Sequence, residues 1–207
     1  MPLLEPAPSL DKKAARRQFR SFRDWLEKNR FFAEQEGVAA LRSHERLLPL
    51  IGMYGMHSAY PVKHRLEPWL GGYFRADYVA GRPGTFGRFV LCEFEGAEHS
   101  SLFRASGAVQ MRRWSPQVER GLSQVADWSW LKNDQQHSVA YRQAFESDHV
   151  AETYVVVCGR LDGLDALERS RLHWRASKTS IATDLVILHT WDELANHFET
   201  VLDVLDA

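Results

Sequence analysis

The residues best suited to chemistry lie in Phe74 to Gly96, FRADYVAGRPGTFGRFVLCEFEG. Asp77 sits in one apolar run, Glu93 and Glu95 sit in the next, and a Gly/Pro-rich stretch joins the two. On a strand, positions i and i+2 point to one face, so Glu93 and Glu95 share a side. A hairpin brings Asp77 beside them. Carboxylates held together repel one another unless a cation lies between them, and an all-oxygen set of this kind suits a hard divalent metal. Read alone, the same three acids are the solvent-facing side of a hairpin.

The elements that must position these acids follow from periodicity and caps. Residues 9–33 read as a helix with Ser9 or Asp11 at its start and an apolar face of Phe19, Phe22, Trp25 and Leu26. A second helix is expected from about Gln35 to Leu48, limited by Pro49. Residues 51–61 read as a loop, and 64–70 as a strand displaced towards a sheet edge by Pro68. Tyr73–Ala80 and Arg88–Glu95 are the antiparallel pair, with GRPGTFG as the turn. Residues 96–113 show no period and read as a surface loop. Ser115-Pro116 then opens a helix striped with Val118, Leu122, Val125, Trp128 and Leu131. A short helix is expected around Val139–Phe145, and Thr153–Gly159 reads as a central strand, apolar on both faces. An arginine-rich helix over Leu164–Arg175, a strand over Asp184–His189 and a helix over Trp191–Leu205 complete the chain, the last with Thr190 and Glu193 as a capping box. This order describes a mixed α/β sheet sandwiched by helices.

Composition sets the outer bounds. At 207 residues the chain suits one domain with an appended helical segment, and no apolar run approaches the length of a membrane span. MPLLEPAPSL lacks the charged and apolar regions of a signal peptide and reads as a disordered tail over 1–10, with N-terminal helices over 11–50. Cys92 and Cys158 each lie in an apolar, strand-like run, which suits buried core thiols in a reducing cytoplasm. The net charge of −1 does not mark a nucleic-acid binder, yet the charge is uneven. Lys12–Arg23 and Arg160–Lys178 read as solvated helix faces. Arg112 and Arg113, just before a helix start, and Arg120 within it, are candidates for contacting substrate phosphates. Trp114, Trp128 and Trp130 read as core residues. None of the nine histidines has metal-ligand spacing.

The local text resembles the Shedu anti-phage nuclease family, within the PD-(D/E)xK nuclease superfamily. The resemblance runs through Phe74–Val79, Val90–Gly96, Trp114–Glu119, Gln124–Trp128, Val156–Arg160, Arg169–Arg175 and Thr190–Leu194, in order, over roughly residues 40–200. It implies a restriction-endonuclease-like αβββαβ core over 51–207 and a Mg²⁺- or Mn²⁺-dependent endonuclease acting on DNA in anti-phage defence. It further implies metal ligation by Asp77, Glu93 and the backbone carbonyl of Phe94. Gln124, with Trp128 in the aromatic place of a Q-x-x-x-Y helix motif, is implied to orient water or a carboxylate. Glu34 or Glu36 supplies the extra glutamate that some members use, and self-association is common in such nucleases. One departure stands out. The superfamily's lysine is here Glu95, which either acts as a general base, binds a second metal, or marks a site that no longer cuts. Lys132 or Arg120 could reach in to supply the missing charge. A nuclease-fold scaffold without catalysis, and a generic acidic interaction domain, are the competing readings.

Overall fold

The computed structural model describes residues 3–54, 59–106, 109–181 and 184–206. The chain opens with a two-residue strand, β1 (Glu5–Pro6), followed by α1 (Lys12–Lys28). The side chain of Asp11 caps α1 by accepting the amide N–H of Ala14 at 2.9 Å, and Ala15, Phe19, Phe22 and Leu26 form its buried stripe. α2 (Glu34–Ser43) stops earlier than its apolar pattern suggests, and the chain turns before a buried single turn, α3 (Leu48–Ile51). Proline explains the break. Pro49 lacks an N–H and restricts the residue before it, so it fits the first turn of a new helix better than the interior of a long one. The expected loop over 51–61 lies partly outside the described residues.

The acidic stretch is more finely divided than its sequence suggests. β2 (Lys63–Leu66) ends where Glu67 takes a φ of 49° and Pro68 follows. β3 (Trp69–Leu70) and β4 (Phe74–Arg75) then pair in a small ribbon of their own. β5 (Tyr78–Arg82) and β6 (Gly84–Phe94) form the main hairpin, and the strands run through most of the expected turn. Only Pro83 separates them, with Gly84 at a φ of 150° that other residues rarely adopt. Asp77 therefore lies just before β5, outside any strand.

After β6 the chain makes a second hairpin, β7 (Phe103–Ser106) and β8 (Val109–Trp114), where a surface loop was expected. α4 (Pro116–Gln135) follows, with Ser115 accepting the Val118 amide and Pro116 in the first turn. Then come α5 (Val139–Phe145), β9 (Ser147–Val157), α6 (Ala166–Lys178), β10 (Ser180–Ile181), β11 (Asp184–His189) and α7 (Trp191–Asp206). The capping box at Thr190 and Glu193 is present, with bonds of 2.7 and 3.2 Å.

The main sheet has the order β1-β2-β5-β6-β9-β11-β10. β2, β5 and β6 form an antiparallel meander, and β6, β9 and β11 are parallel. Helices cover both faces. Val90, Cys92 and Phe94 of β6 point towards α1, α2 and α7, whereas Phe89 and Leu91 point towards α4, α5 and α6. By this alternation Glu93 belongs to the α4 face. The fold is thus a mixed α/β sheet flanked by helices, with β6 at its centre.

Three details correct the sequence reading. Glu5 and Pro6 are no disordered tail, since they pair with His64 and Lys63 at the sheet edge and Leu4 is buried. The ladder groups of β2 supply the reason. Trp130 is exposed rather than core, because Trp128 and Leu131 take the inward positions of α4. Trp114 is half-buried, with the guanidinium groups of Arg171 and Arg175 against its ring at 5.5 and 4.5 Å. Cys92 and Cys158 are both free and buried, as expected. No helix among the described residues is long and apolar enough to cross a membrane.

Candidate active site

The acids gather at the C-terminal end of β6. Tyr78 pairs with Cys92, so continuing the antiparallel register one step sets Asp77 opposite Glu93. Backbone and side chain of Asp77 both hold that end: its N–H donates to the Cys92 carbonyl at 3.1 Å, and its Oδ2 accepts the Phe94 N–H at 2.7 Å. Burial raises its pKa to about 6, against the lowering effect of the Phe94 amide. The Phe94 ring packs on Trp191 on the opposite face, so only its backbone faces the acids.

Glu93 is the most strained of the three electrostatically. It is 6% exposed, and its Oε2 is buried with no hydrogen-bond partner. Burial, followed by the charges of Asp77, Glu95 and Glu34, pushes its pKa up to about 9. Gln124 on α4 also has a buried, unpartnered oxygen, Oε1. Of the three buried side-chain polar atoms without partners among the described residues, one is thus on Glu93 and another is on the α4 stripe that carries Arg120. Native interiors leave few such atoms unpaired, and an unpaired buried carboxylate oxygen is costly.

Glu95 is held differently. It lies one residue beyond β6, its N–H donates to the Val157 carbonyl at 2.8 Å, and its own carbonyl accepts the Trp191 indole N–H at 2.9 Å. Its side chain is fully buried and is chelated by Arg120, whose Nε reaches Oε1 at 2.8 Å while Nη2 bonds Oε2. The same Nη2 extends to Glu34 Oε2 at 3.2 Å. Burial raises the Glu95 pKa, and the Arg120 hydrogen bond and charge oppose that rise. Close contact of α4 makes this possible: a Cβ at Gly121 would sit 2.7 Å from Val156 Cγ1 and 3.5 Å from Glu95 Cγ. Arg120 and Gln124 are four apart on α4 and so share one helical stripe.

Several expected residues are brought here and several are not. Asp77, Glu93, Glu95 and Arg120 come together, Glu34 rather than Glu36 joins them, and Gln124 lies one turn beyond Arg120 on the same stripe of α4. Glu36 instead accepts the Ala33 N–H at 2.8 Å and caps α2. Lys132 does not reach the acids, because it is buried against Asp184 at 2.6 Å, two turns further along α4. Arg112 is engaged by the buried Glu168 of α6, whereas Arg113 is exposed on β8. Among the described residues no group of three His, Cys, Asp or Glu side chains is placed to hold a metal ion. The expectation of three acids around one cation is corrected accordingly: the Arg120 guanidinium occupies Glu95. Of the two cations expected to reach in beside the acids, Arg120, also a candidate phosphate contact, is the one that reaches in, and its spacing from Gln124 signals a shared direction.

A central strand ending in acids, with a helix laid antiparallel across it, defines an α/β protein with a buried acidic site at one end of its sheet. The family model described as Shedu protein SduA, C-terminal, matches residues 18–195. The chain belongs to that family. No curated protein matches it significantly.

Proposed function

We propose that this protein is a Mg²⁺- or Mn²⁺-dependent endonuclease that hydrolyses DNA phosphodiester bonds in the cytoplasm as part of defence against phage. The observation that carries this reading is Glu93 Oε2, buried and unpartnered opposite Asp77. Hard oxygen donors with raised proton affinity are what a divalent cation offsets best, and an uncompensated carboxylate is otherwise expensive at this depth. Asp77 and Glu93, with the Phe94 carbonyl, would hold the metal. Bound there, the metal supplies Lewis-acid polarisation of the phosphate and a water of lowered pKa. Asp77 remains anchored by the Phe94 amide, which orients its carboxylate. Gln124, one turn along α4 from Arg120 and with an unpartnered buried oxygen, would orient water or the Glu93 carboxyl, and the packed α4–β9 contact keeps bulk solvent out. Exposed Arg104 and Arg113 lie across from each other on the β7–β8 hairpin, directly before α4, and would attract the DNA backbone.

The test is cleavage of plasmid and linear DNA by purified protein with Mg²⁺ or Mn²⁺. Glu93→Ala abolishes cutting while the protein still unfolds cooperatively. Absence of cleavage on every DNA form, under either metal, refutes the proposal. A second reading is a nuclease-fold module without catalysis, favoured by the engagement of Glu95 by Arg120 where the superfamily places a lysine. That reading expects no calorimetric binding of Mn²⁺ through Asp77 and Glu93.

A further inference from the structure

Past Gln124 along α4, the chain leaves a cavity of about 210 Å³. Trp128 and Leu131 of α4, Tyr141 and Phe145 of α5 and Leu91 of β6 form buried parts of its wall, and Glu152 of β9 is the one acid on that wall. Protein interiors are packed as densely as organic crystals and hold few voids larger than a water molecule. An apolar cavity of about 150 Å³ already takes up benzene, so this one has room for a fused pair of rings. Small residues keep it open. Ala140 and Ala144, four apart on α5, present only methyl groups to it. At Gly71, where φ is 57°, a Cβ would come within 3.1 Å of Leu131 and 3.3 Å of the Gln135 amide oxygen. The mouth opens between Trp69, which is exposed, and Leu3. Leu3 is pinned there by its N–H on the Ala144 carbonyl at 2.9 Å and by Arg65 Nη1 on its own carbonyl at 3.1 Å.

The buried polar groups of this wall are one-sided. Tyr141 gives its hydroxyl proton to Glu152, and Tyr154 gives another to the second oxygen of the same carboxylate. The phenol oxygen of Tyr141 is left as an acceptor beside a carboxylate that also only accepts. Such a wall suits an N–H donor and repels an anion. Trp69, Trp128, Tyr141 and Phe145 add aromatic surface for a flat ring. We propose that this cavity is a binding site for a small, neutral, planar aromatic molecule carrying an N–H donor, with the Tyr141 oxygen as the acceptor. Its occupancy depends neither on the acids at the end of β6 nor on a metal. A ring seated there touches α4, α5 and the β3–β4 ribbon at once, and so braces the segment that runs on to Asp77.

The test titrates the full chain calorimetrically, in EDTA, with three probes of similar size. Indole has the N–H, benzofuran carries an oxygen in its place, and benzoate is an anion. Indole is expected to bind at a single site with a Kd below about 1 mM. Benzofuran should bind about fivefold more weakly, the worth of one hydrogen bond, and benzoate should not bind. Ala144→Leu fills the space from α5 and is expected to abolish indole binding while the Tm holds or rises. Should that variant fail to fold, Ala140→Leu fills the same space from one turn earlier. Absence of indole binding to the parent overturns the site, as does binding that survives in whichever filled variant folds. Benzofuran or benzoate binding as tightly as indole overturns the assignment of an N–H donor.

Discussion

Two groups of buried carboxylates share the α4 face of the sheet, and they are finished to different degrees. In the first, Glu93 lies beside Val156 of β9. In the second, Glu152 lies four residues earlier on β9, about 13 Å along the strand, and Asp184 begins β11 next to it. Glu152 receives the Tyr141 hydroxyl on Oε1 and the Tyr154 hydroxyl on Oε2, and Asp184 receives Lys132 at 2.6 Å and Ser129 at 3.3 Å. Every carboxylate oxygen of that second group has a donor. Glu93 has an oxygen with none. One helix serves both groups, with Arg120 and Gln124 at one end and Ser129 and Lys132 at the other. Complete partnering marks acids that hold the fold, and incomplete partnering marks acids that await something.

The sharpest way to break this contrast is at the finished group. Lys132→Met leaves Asp184 buried with only the Ser129 hydroxyl, and the expected loss is about 3–5 kcal/mol, read as a lower urea midpoint at unchanged slope. A shift within experimental scatter would remove the distinction between the two groups. At the unfinished group the sign reverses. Glu93→Gln is expected to stabilise the protein by about 1–3 kcal/mol at pH 8 in the absence of divalent metal and, on the proposed nuclease reading, to end cleavage. Asp77 and Glu93 are raised to about 6 and about 9, so the folded protein keeps protons that the unfolded chain releases. Their contribution is complete below the unfolded values near pH 4 and is lost as pH rises through 6 and then 9. Glu93→Gln should flatten the upper part of that decline in denaturation curves taken across the range. Loss of stability at pH 8 would show that Glu93 is already satisfied. The smallest effect belongs to Gln124→Leu, which removes an unpartnered buried oxygen and so is expected to stabilise the protein by about 1 kcal/mol in the absence of divalent metal. Its Mn²⁺ affinity should fall about tenfold in calorimetry, and an unchanged affinity would detach Gln124 from the site.

What could be read from the residues was whatever is local. Ser115-Pro116 announces α4, Thr190 and Glu193 announce α7, and the alternation Leu91-Cys92-Glu93-Phe94 places one acid among apolar neighbours. The choice between Glu34 and Glu36 needed three dimensions, since both lie in the first turn of α2 and only the approach of α4 separates them. The β7–β8 hairpin escaped because its arginine-rich strands lack alternation, and α6 steadies them through Arg171 over Phe103 and Arg112 on Glu168. The pairing of Lys132 with Asp184 joins residues far apart in the chain, as does the pairing of β1 with β2. No local period encodes either.

The parallel contact of β6 with β9 has a kinetic consequence. Gly84 meets Ser147 and Phe94 meets Val157, so a hairpin and two helices must be spanned before these strands can pair. Closing so large a loop is slow and is rewarded only once the sheet is nearly whole. Until then, the β9 backbone and the α4 cover that isolate Glu93 from water are not yet in place. Its solvation penalty is therefore a property of the completed molecule and shows itself in how fast the metal-free protein opens, rather than in how fast it first assembles.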